Sequence, residues 1–326
     1  PDQTYKQKAN AASATNALPD LVHWWAATNM EFIDQLVDMR TQLDDSWKSQ
    51  FYPVSWPSVT VSQAEVDDWH KKADTSPVFK QLTVGHISGI PLDVGAFFMF
   101  YGNKKILEEA GVSLDPPKTW DDFIQLMKTI KANSGVPGLA FGGKFAVLWS
   151  NWWGNALFTM ANGADGYAKL LNREAKLSEP ENLRVLKAAE LLVKEDLLQP
   201  GVLGLTIDEA DQAFFAGKAA FDLGGSFTLS TLLAMGMDPD DLVVFPVPPI
   251  KGSKHMQWKI NPFTLTAMCV KKDGPNEKEA MDFIKFLCSK EGSLIYAKNA
   301  YDIPAFDLGS AGVGDQLPDS LNLILG

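Results

Sequence analysis

Hydrophobic residues recur at every third or fourth position in several stretches of the chain, which predicts amphipathic helices. In the stretch after Thr119, one such apolar face comprises Phe123, Leu126, Met127 and Ile130. Thr119 is an expected N-cap with Asp122 at the third helical position, and Asn133 or Gly135 is expected to end the helix. Both ends of this helix are therefore predicted from local sequence.

Two further helices carry the same kind of start signal. Thr206 followed by Glu209 predicts a capping box, and Gly217 is expected to end that helix. Asn276 and Glu279 stand in the same relation before another stretch with helical periodicity. Each pair predicts a helix that begins directly after its first residue.

Short apolar runs alternate with these helices and predict strands. They read GLAFGG at 138–143, AAFDL at 219–223, LVVFPVP at 242–248 and LTAMCV at 265–270. Strands that alternate with helices indicate the α/β class. At 326 residues the chain is long enough for about two domains.

The charge balance narrows the possible partners. The chain carries 29 Lys and Arg against 40 Asp and Glu, a formal net charge of −11, and it has no basic run. Nucleic acids and anionic membranes are usually bound by a basic face, so neither is expected as a partner. The longest apolar runs are far shorter than the roughly 20 residues of a membrane-spanning helix.

The two cysteines, Cys269 and Cys288, belong to no CxxC or Cys/His cluster, so no zinc site or redox pair is expected. Cys269 lies in a strand-like run, and Cys288 lies four residues after Ile284 on an apolar helical stripe. We expect both to pack as small apolar residues, with a disulfide between them as the alternative.

Motifs of catalysis are absent from the sequence. We find no GxSxG elbow, HExxH motif, P-loop or GxGxxG turn after a strand. Acidic pairs such as Asp121 and Asp122 are neighbours in sequence, and on a helix they point about 100° apart instead of converging on a substrate. No enzyme activity, cofactor or metal is expected.

Tryptophan is the unusual residue of this sequence. Of ten tryptophans, six fall near predicted strand or helix ends: Trp24, Trp25, Trp149, Trp152, Trp153 and Trp258. An indole in a loop can stack on the apolar face of a ligand such as a sugar, while polar neighbours provide hydrogen bonds. The alternative is that these side chains fill domain cores or interfaces.

The order of several segments resembles a known family. The most specific are YGNKKILEEAGV followed by PPKTWDDF, and FFAGKAAF followed by GSF, together with NALPDLVHWWA and NEKEAMDFIKFLCSKEG. They are similar, in sequence and spacing over roughly residues 5–300, to the extracellular solute-binding proteins of bacterial ABC importers for oligosaccharides. This resemblance implies two α/β lobes linked by hinges, with the ligand held in the cleft between them.

The resemblance also implies domain boundaries. Residues 1–95 would form lobe I, 96–261 lobe II, and 262–300 a return to lobe I, while 301–326 would join lobe II or the hinge. The crossings would lie near Gly95–Phe97 and Asn261–Thr264. Proteins of the family begin with a strand, whereas this chain begins with residues that resemble the helix after it. We therefore expect a preceding segment that carries this strand, a signal peptide and any lipid-anchoring cysteine.

Site residues follow from the same resemblance. The expected ligand-binding set is His23, Trp24, Trp25, Asn29, Asp93, Gly95, Trp149, Trp152, Trp153, Phe227, Trp258 and Asn261. The segment HWWAATN would form the floor of a sugar site, with Trp25 facing the ligand and Trp24 packed beneath it, because neighbouring residues of a strand point to opposite faces. Phe227 replaces the tryptophan that the family often has in GSW, which leaves a smaller platform.

The family implies a monomeric extracytoplasmic protein, either periplasmic or lipid-anchored at the outer face of the cell membrane. Its function would be to capture an oligosaccharide and deliver it to the permease subunits of an ABC importer. Two alternatives are a sugar sensor of the same fold that serves a signalling partner and a glycosidase. A glycosidase would need two carboxyl groups roughly 5 to 9 Å apart across the cleft.

Overall fold

A computed structural model describes residues 3–145, 148, 153–257, 263–321 and 323 of the chain. The chain divides into two compact units. Unit 1 comprises Pro1–Gly95 and Asn261–Leu321, and unit 2 comprises Ala96–Ile260 and Asn322–Gly326. In the residues that the structure describes, each unit combines helices with a four-stranded sheet, which confirms the predicted α/β class.

The strands are β1 (Leu21–Trp25), β2 (Ile90–Gly95), β3 (Phe97–Asn103), β4 (Leu139–Ala140), β5 (Phe221–Gly225), β6 (Leu242–Pro246), β7 (Phe263–Val270) and β8 (Ile303–Pro304). The helices are α1 (Gln3–Ala14), α2 (Asp45–Lys48), α3 (Gln63–Lys71), α4 (Pro77–Lys80), α5 (Lys104–Glu109), α6 (Trp120–Ser134), α7 (Asn155–Leu171), α8 (Pro180–Lys194), α9 (Ile207–Phe215), α10 (Ser226–Ala234), α11 (Glu277–Leu287) and α12 (Lys290–Ala300). Short 3₁₀ turns connect several of them.

The sheet of unit 1 has the order β1-β7-β2-β8. Strand β7 lies antiparallel to both β1 and β2, with Trp25 opposite Thr266 and Val94 opposite Thr264. Strand β8 pairs with β2, so residues 301–321 belong to unit 1 and not to the second lobe or the hinge, where the sequence analysis expected them. The paired backbone of Ile303 opposite Val94 is the physical reason for this placement.

The sheet of unit 2 has the order β4-β5-β3-β6. Strand β3 is antiparallel to β5 and β6, and β4 is parallel to β5. Helix α6 buries Phe123 against this sheet, where its ring contacts Phe100, Phe221 and Phe245 with centroid distances of 4.6–5.6 Å. These aromatic contacts anchor the core of unit 2.

The predicted caps agree with the structure at two helices. Thr119 caps α6 and forms a capping box with Asp122, and Gly135 ends the helix with a φ of 75°. Thr206 and Glu209 form the capping box of α9. In both helices the short side chain accepts a hydrogen bond from a backbone N–H that would otherwise lack a partner.

The third predicted capping box does not form. Helix α11 begins after Asn276, but the Asn276 side chain accepts no hydrogen bond from the helix. Its Nδ2 instead donates to Oδ2 of Asp20 at 2.8 Å, and the Glu277 carboxylate accepts from the backbone N–H of Asp273. A nearby carboxylate therefore draws the Asn276 amide away from the helix terminus.

The cysteines pack as the sequence predicted. Cys269 in β7 and Cys288 after α11 are both buried and unbonded to each other. Burial raises the pKa of each thiol to about 12, which keeps both thiols protonated and unreactive. Within the described ranges, no helix has the length and apolar content needed to cross a membrane.

Candidate functional site

The tryptophan pair of the HWWAATN segment ends strand β1. Side chains alternate along this strand between buried and partly exposed positions. Trp24 is 6% exposed, and its ring contacts Phe32 edge to face at 4.9 Å. Trp25 is half-buried and packs against the Trp24 ring at 5.3 Å and 76°. Trp24 therefore supports Trp25 from beneath, and Trp25 keeps part of its surface open.

His23 lies on the same partly exposed face of β1 as Trp25. Its backbone N–H donates to the Tyr5 hydroxyl at 3.1 Å. Burial lowers the pKa of the His23 imidazole to about 4, so the ring is neutral at pH 7. Its Nε2 atom has no hydrogen-bond partner among the described residues. The Nε2 atom is itself buried, so it is not open to a ligand hydroxyl group in this structure.

The loop after β1 is held in place by side chains that the sequence analysis did not identify. The Thr28 hydroxyl, which is buried, donates to the carboxylate of Glu65 at the start of α3. The Ser88 hydroxyl donates to the carbonyl of Ala27 at 3.0 Å. Asn29 follows as an exposed residue. No local motif marks Thr28 and Glu65 as partners, because 37 residues separate them.

Asp93 is bonded within unit 1. Its Oδ1 accepts from the backbone N–H and the hydroxyl of Thr266, both at 2.8 Å, and its Oδ2 accepts from the Tyr296 hydroxyl at 3.0 Å. The side chain is 4% exposed, and burial raises the pKa of its carboxyl group against the opposing effect of these hydrogen bonds. The structure thus shows Asp93 bridging β2, β7 and α12, where the sequence analysis expected it to line a cleft.

Gly95, another expected site residue, is the buried last residue of β2 and the last residue of the first segment of unit 1. In unit 2, the next residue, Ala96, forms a reciprocal contact with the start of α10. The Ser226 N–H donates to the Ala96 carbonyl at 2.8 Å, and the Ala96 N–H donates to the Ser226 hydroxyl at 3.3 Å. The Tyr101 hydroxyl donates to the Gly225 carbonyl at 2.6 Å. This network fixes the backbone just before Phe227.

Phe227 is half-buried in the first turn of α10 and packs against the core of unit 2. Gly225 is required two residues earlier. A Cβ at this position would lie 2.9 Å from the Ala96 carbonyl oxygen and 2.5 Å from the Phe227 ring. The glycine therefore lets the strand, the helix start and the Phe227 ring approach one another.

Trp153 lies in the core of unit 2 instead of at an open surface. Its side chain is 1% exposed, and its ring meets Trp120 at 5.2 Å and 67°. A ring enclosed in this way offers no face to a ligand, so the structure supports the core-packing alternative for Trp153. Four other expected site residues, Trp149, Trp152, Trp258 and Asn261, lie outside the described residues.

A cavity of about 600 Å³ is bordered by Lys254, His255, Met256 and Gln257 of unit 2. These residues directly precede Trp258 in the sequence. No motif in the sequence marks these residues as a site, because scattered polar and basic residues on a loop form no recognisable pattern. In the part of the chain that the structure describes, no three His, Cys, Asp or Glu side chains converge to hold a metal ion.

Comparison with known proteins gives the family context of these features. A family model described as "Bacterial extracellular solute-binding protein" matches residues 1–293. An uncharacterized ABC transporter extracellular-binding protein of Pyrococcus horikoshii is 31% identical over 216 residues, which are 65% of this chain and 46% of that protein. A multiple sugar-binding protein of Streptococcus mutans is 24% identical over 242 residues, covering 70% of this chain and 52% of that protein.

The chain thus spans about half the length of these curated relatives. Among solved structures, a protein from work on xylan utilization by Caldanaerobius polysaccharolyticus superimposes with a TM-score of 0.78 at 24% identity. That match covers 99% of this chain and 76% of the other. It shows a shared fold.

Proposed function

Because the chain belongs to the family of bacterial extracellular solute-binding proteins, we propose that it captures an oligosaccharide outside the cytoplasm and delivers it to an ABC importer. The observation that carries this proposal is the family match over residues 1–293. The name of the Streptococcus mutans relative, a multiple sugar-binding protein, supports a sugar as the ligand class.

The geometry of unit 1 supports a sugar ligand in particular. Trp25 combines a partly open indole face with a rigid support from Trp24. The exposed amide of Asn29 lies on the same segment and can exchange hydrogen bonds with hydroxyl groups. An aromatic platform with uncharged polar neighbours suits the alternating apolar faces and hydroxyl edges of a sugar.

The finer parts of the proposal concern location, partners and chemistry. We place the protein either in the periplasm or anchored by lipid at the outer face of the cell membrane, as a monomer that docks on permease subunits. The ligand is released without chemical change. The family and the relatives described above are binding proteins, which supports this view.

A thermal-shift screen with neutral and acidic oligosaccharides tests the proposal. A ligand that binds only the native state stabilises it by about 2.7 kcal/mol at a concentration of 100 Kd, so a bound sugar raises the melting temperature in a concentration-dependent manner. Chromatography of the recovered sugar then tests for turnover. The absence of a shift with every neutral and acidic oligosaccharide of the panel, or a sugar recovered in cleaved form, would contradict the proposal.

A further inference from the structure

The cavity beside Lys254 and His255 adjoins a break in helix α7. Gly163 interrupts this helix with a φ of 77° and a ψ of 167°, a conformation that is accessible essentially to glycine alone. The backbone N–H of His255 donates to the carbonyl of Met160, one turn before the break, at 2.9 Å. This hydrogen bond holds the 254–257 loop against the broken helix.

Two basic side chains converge at this break. The Nζ atom of Lys254 lies 3.1 Å, and the Nε2 atom of His255 lies 3.4 Å, from the point that a Cβ of residue 163 would occupy. A Cβ at residue 163 would be closer to the Lys254 nitrogen than ordinary packing allows, so the glycine lets both basic side chains approach the break in the helix. The helical segment that restarts after Gly163 adds the positive end of its dipole to the same place.

Neither nitrogen is neutralised by the rest of the described protein. Among the residues that the structure describes, Lys254 and His255 form no ion pair and no side-chain hydrogen bond. The acidic side chain nearest in sequence to the break is Asp165, which is exposed in the first turn after Gly163. Two unpaired basic side chains at one cavity are notable in a chain with a net charge of −11.

From this geometry we infer that the cavity binds an anionic group of the ligand and that the transported sugar is acidic, carrying a carboxylate close to Lys254 and His255. The inference rests on the proposed sugar-binding function and names its substrate class. A carboxylate offers two oxygen atoms that can accept charge-assisted hydrogen bonds from two converging nitrogens. A phosphate ester presents the same oxygen chemistry from another source.

Calorimetric titration of the full chain with matched pairs of sugars tests the inference. Each pair has a neutral member and an acidic member: xylotriose and its glucuronic acid-branched counterpart, galactotriose and trigalacturonic acid, and glycerol and glycerol 3-phosphate as the phosphate arm. The acidic sugar of one pair is expected to bind about tenfold or more tightly than its neutral counterpart, which is the typical effect of a charge-assisted hydrogen bond.

The variant Lys254→Met keeps an unbranched side chain that is one heavy atom shorter and removes the charged Nζ. It is expected to abolish most of the preference for the acidic sugar while the neutral counterpart binds as before. Lys251→Met is the matched control, because Lys251 is an exposed lysine of the same loop that does not border the cavity. This control should retain the full preference.

The outcomes separate the inference from the proposed function. The acidic-sugar inference would be overturned if acidic sugars bound no more tightly than their neutral counterparts. It would also be overturned if Lys254→Met reduced the affinity for both members of a pair equally. Either result would leave the proposed sugar binding intact. If glycerol 3-phosphate were the only probe that binds, and its binding were lost in Lys254→Met, the anion-binding site would be supported. The inference that its ligand is an acidic sugar would then be overturned. A lack of binding by every probe would overturn both the inference and the proposed function.

Discussion

Adjacent residues on a strand point to opposite faces, and the two indoles of β1 differ in burial accordingly. Trp24 packs against Phe32 and Tyr5, while Trp25 leaves part of its ring exposed. The sequence predicted this difference in burial from the apolar residues that precede Trp24. The ligand contact of Trp25 stays a prediction.

Alanine substitutions distinguish the roles of the two rings. Trp25→Ala should weaken sugar binding by about 1–3 kcal/mol, on the scale for burial of a large apolar side chain, with little change in unfolding free energy. Trp24→Ala should instead cost about 3–5 kcal/mol of unfolding free energy because it leaves a cavity in the core. Titration calorimetry and urea denaturation measure the two effects. A Trp25→Ala variant with unchanged sugar affinity would exclude the ring from the site.

A buried pair of carboxyl groups in unit 2 makes stability depend on pH. Asp211 in α9 and Asp222 in β5 are 2% and 0% exposed. Burial raises the pKa of Asp211 to about 6, and burial with the neighbouring Asp211 raises the pKa of Asp222 well above its ordinary value. Exposed Asp208 adds a smaller repulsion on Asp211. Two ionised carboxylates buried side by side would repel each other, so the pair retains a proton in the folded state.

The sign of the pH effect follows from these shifts. Both groups bind a proton more tightly in the folded state than in the unfolded chain, so the unfolding free energy falls as pH rises from about 4 through about 6 and beyond. For Asp211 alone, the loss is on the order of 3 kcal/mol. We expect Asp222→Asn to remove the share of Asp222 from this dependence and to leave the share of Asp211, as measured by urea denaturation across the pH range. Asp208→Asn is the control that should keep it, and an unchanged slope in Asp222→Asn would contradict the assignment.

At the level of helices and strands, local sequence was sufficient to predict the features that are formed by residues close together in the chain. Thr119 and Thr206 cap their helices because the accepting oxygen and the donating N–H are three residues apart. Asn276 failed as a cap because its amide bonds to Asp20, which is distant in sequence. The same limit applies to Asp93, whose partners Thr266 and Tyr296 become neighbours only after folding.

The two kinds of N-terminus predict different responses to the same mutation. Thr206→Ala removes the hydroxyl that accepts from the Glu209 N–H and should lower the unfolding free energy by about 1 kcal/mol. Asn276→Ala removes only an exposed bond to Asp20, so we expect a loss of at most about 0.5 kcal/mol. Chemical denaturation of both variants provides the comparison. Equal losses would show that the capping geometry of α9 contributes nothing specific.

At the scale of the whole molecule, the sequence predicted the family, and the family match confirms it. The family pattern also placed a chain crossing near Gly95–Phe97, and the boundary between the two units falls at Gly95 and Ala96. The position of residues 301–321 could not be predicted in this way, because the two-residue strand β8 has too short a pattern to reveal its pairing with β2. The convergence of Lys254 and His255 on Gly163 could not be predicted from the sequence either, because it depends on the break in α7.

Ligand capture by a two-unit protein should change the dimensions of the molecule in solution. We expect the sugar to contact both units and so to favour a closed arrangement over an open one. The predicted hinges are Gly95–Phe97 and Asn261–Thr264, and residues 261–262 of the second lie outside the described residues. Small-angle scattering should then show a smaller radius of gyration at saturating sugar than without it. A sugar that gives no thermal shift is the control and should leave the radius unchanged. An unchanged radius with a saturating, tightly bound sugar would mean that binding takes place without closure, and that the ligand is held by one unit alone.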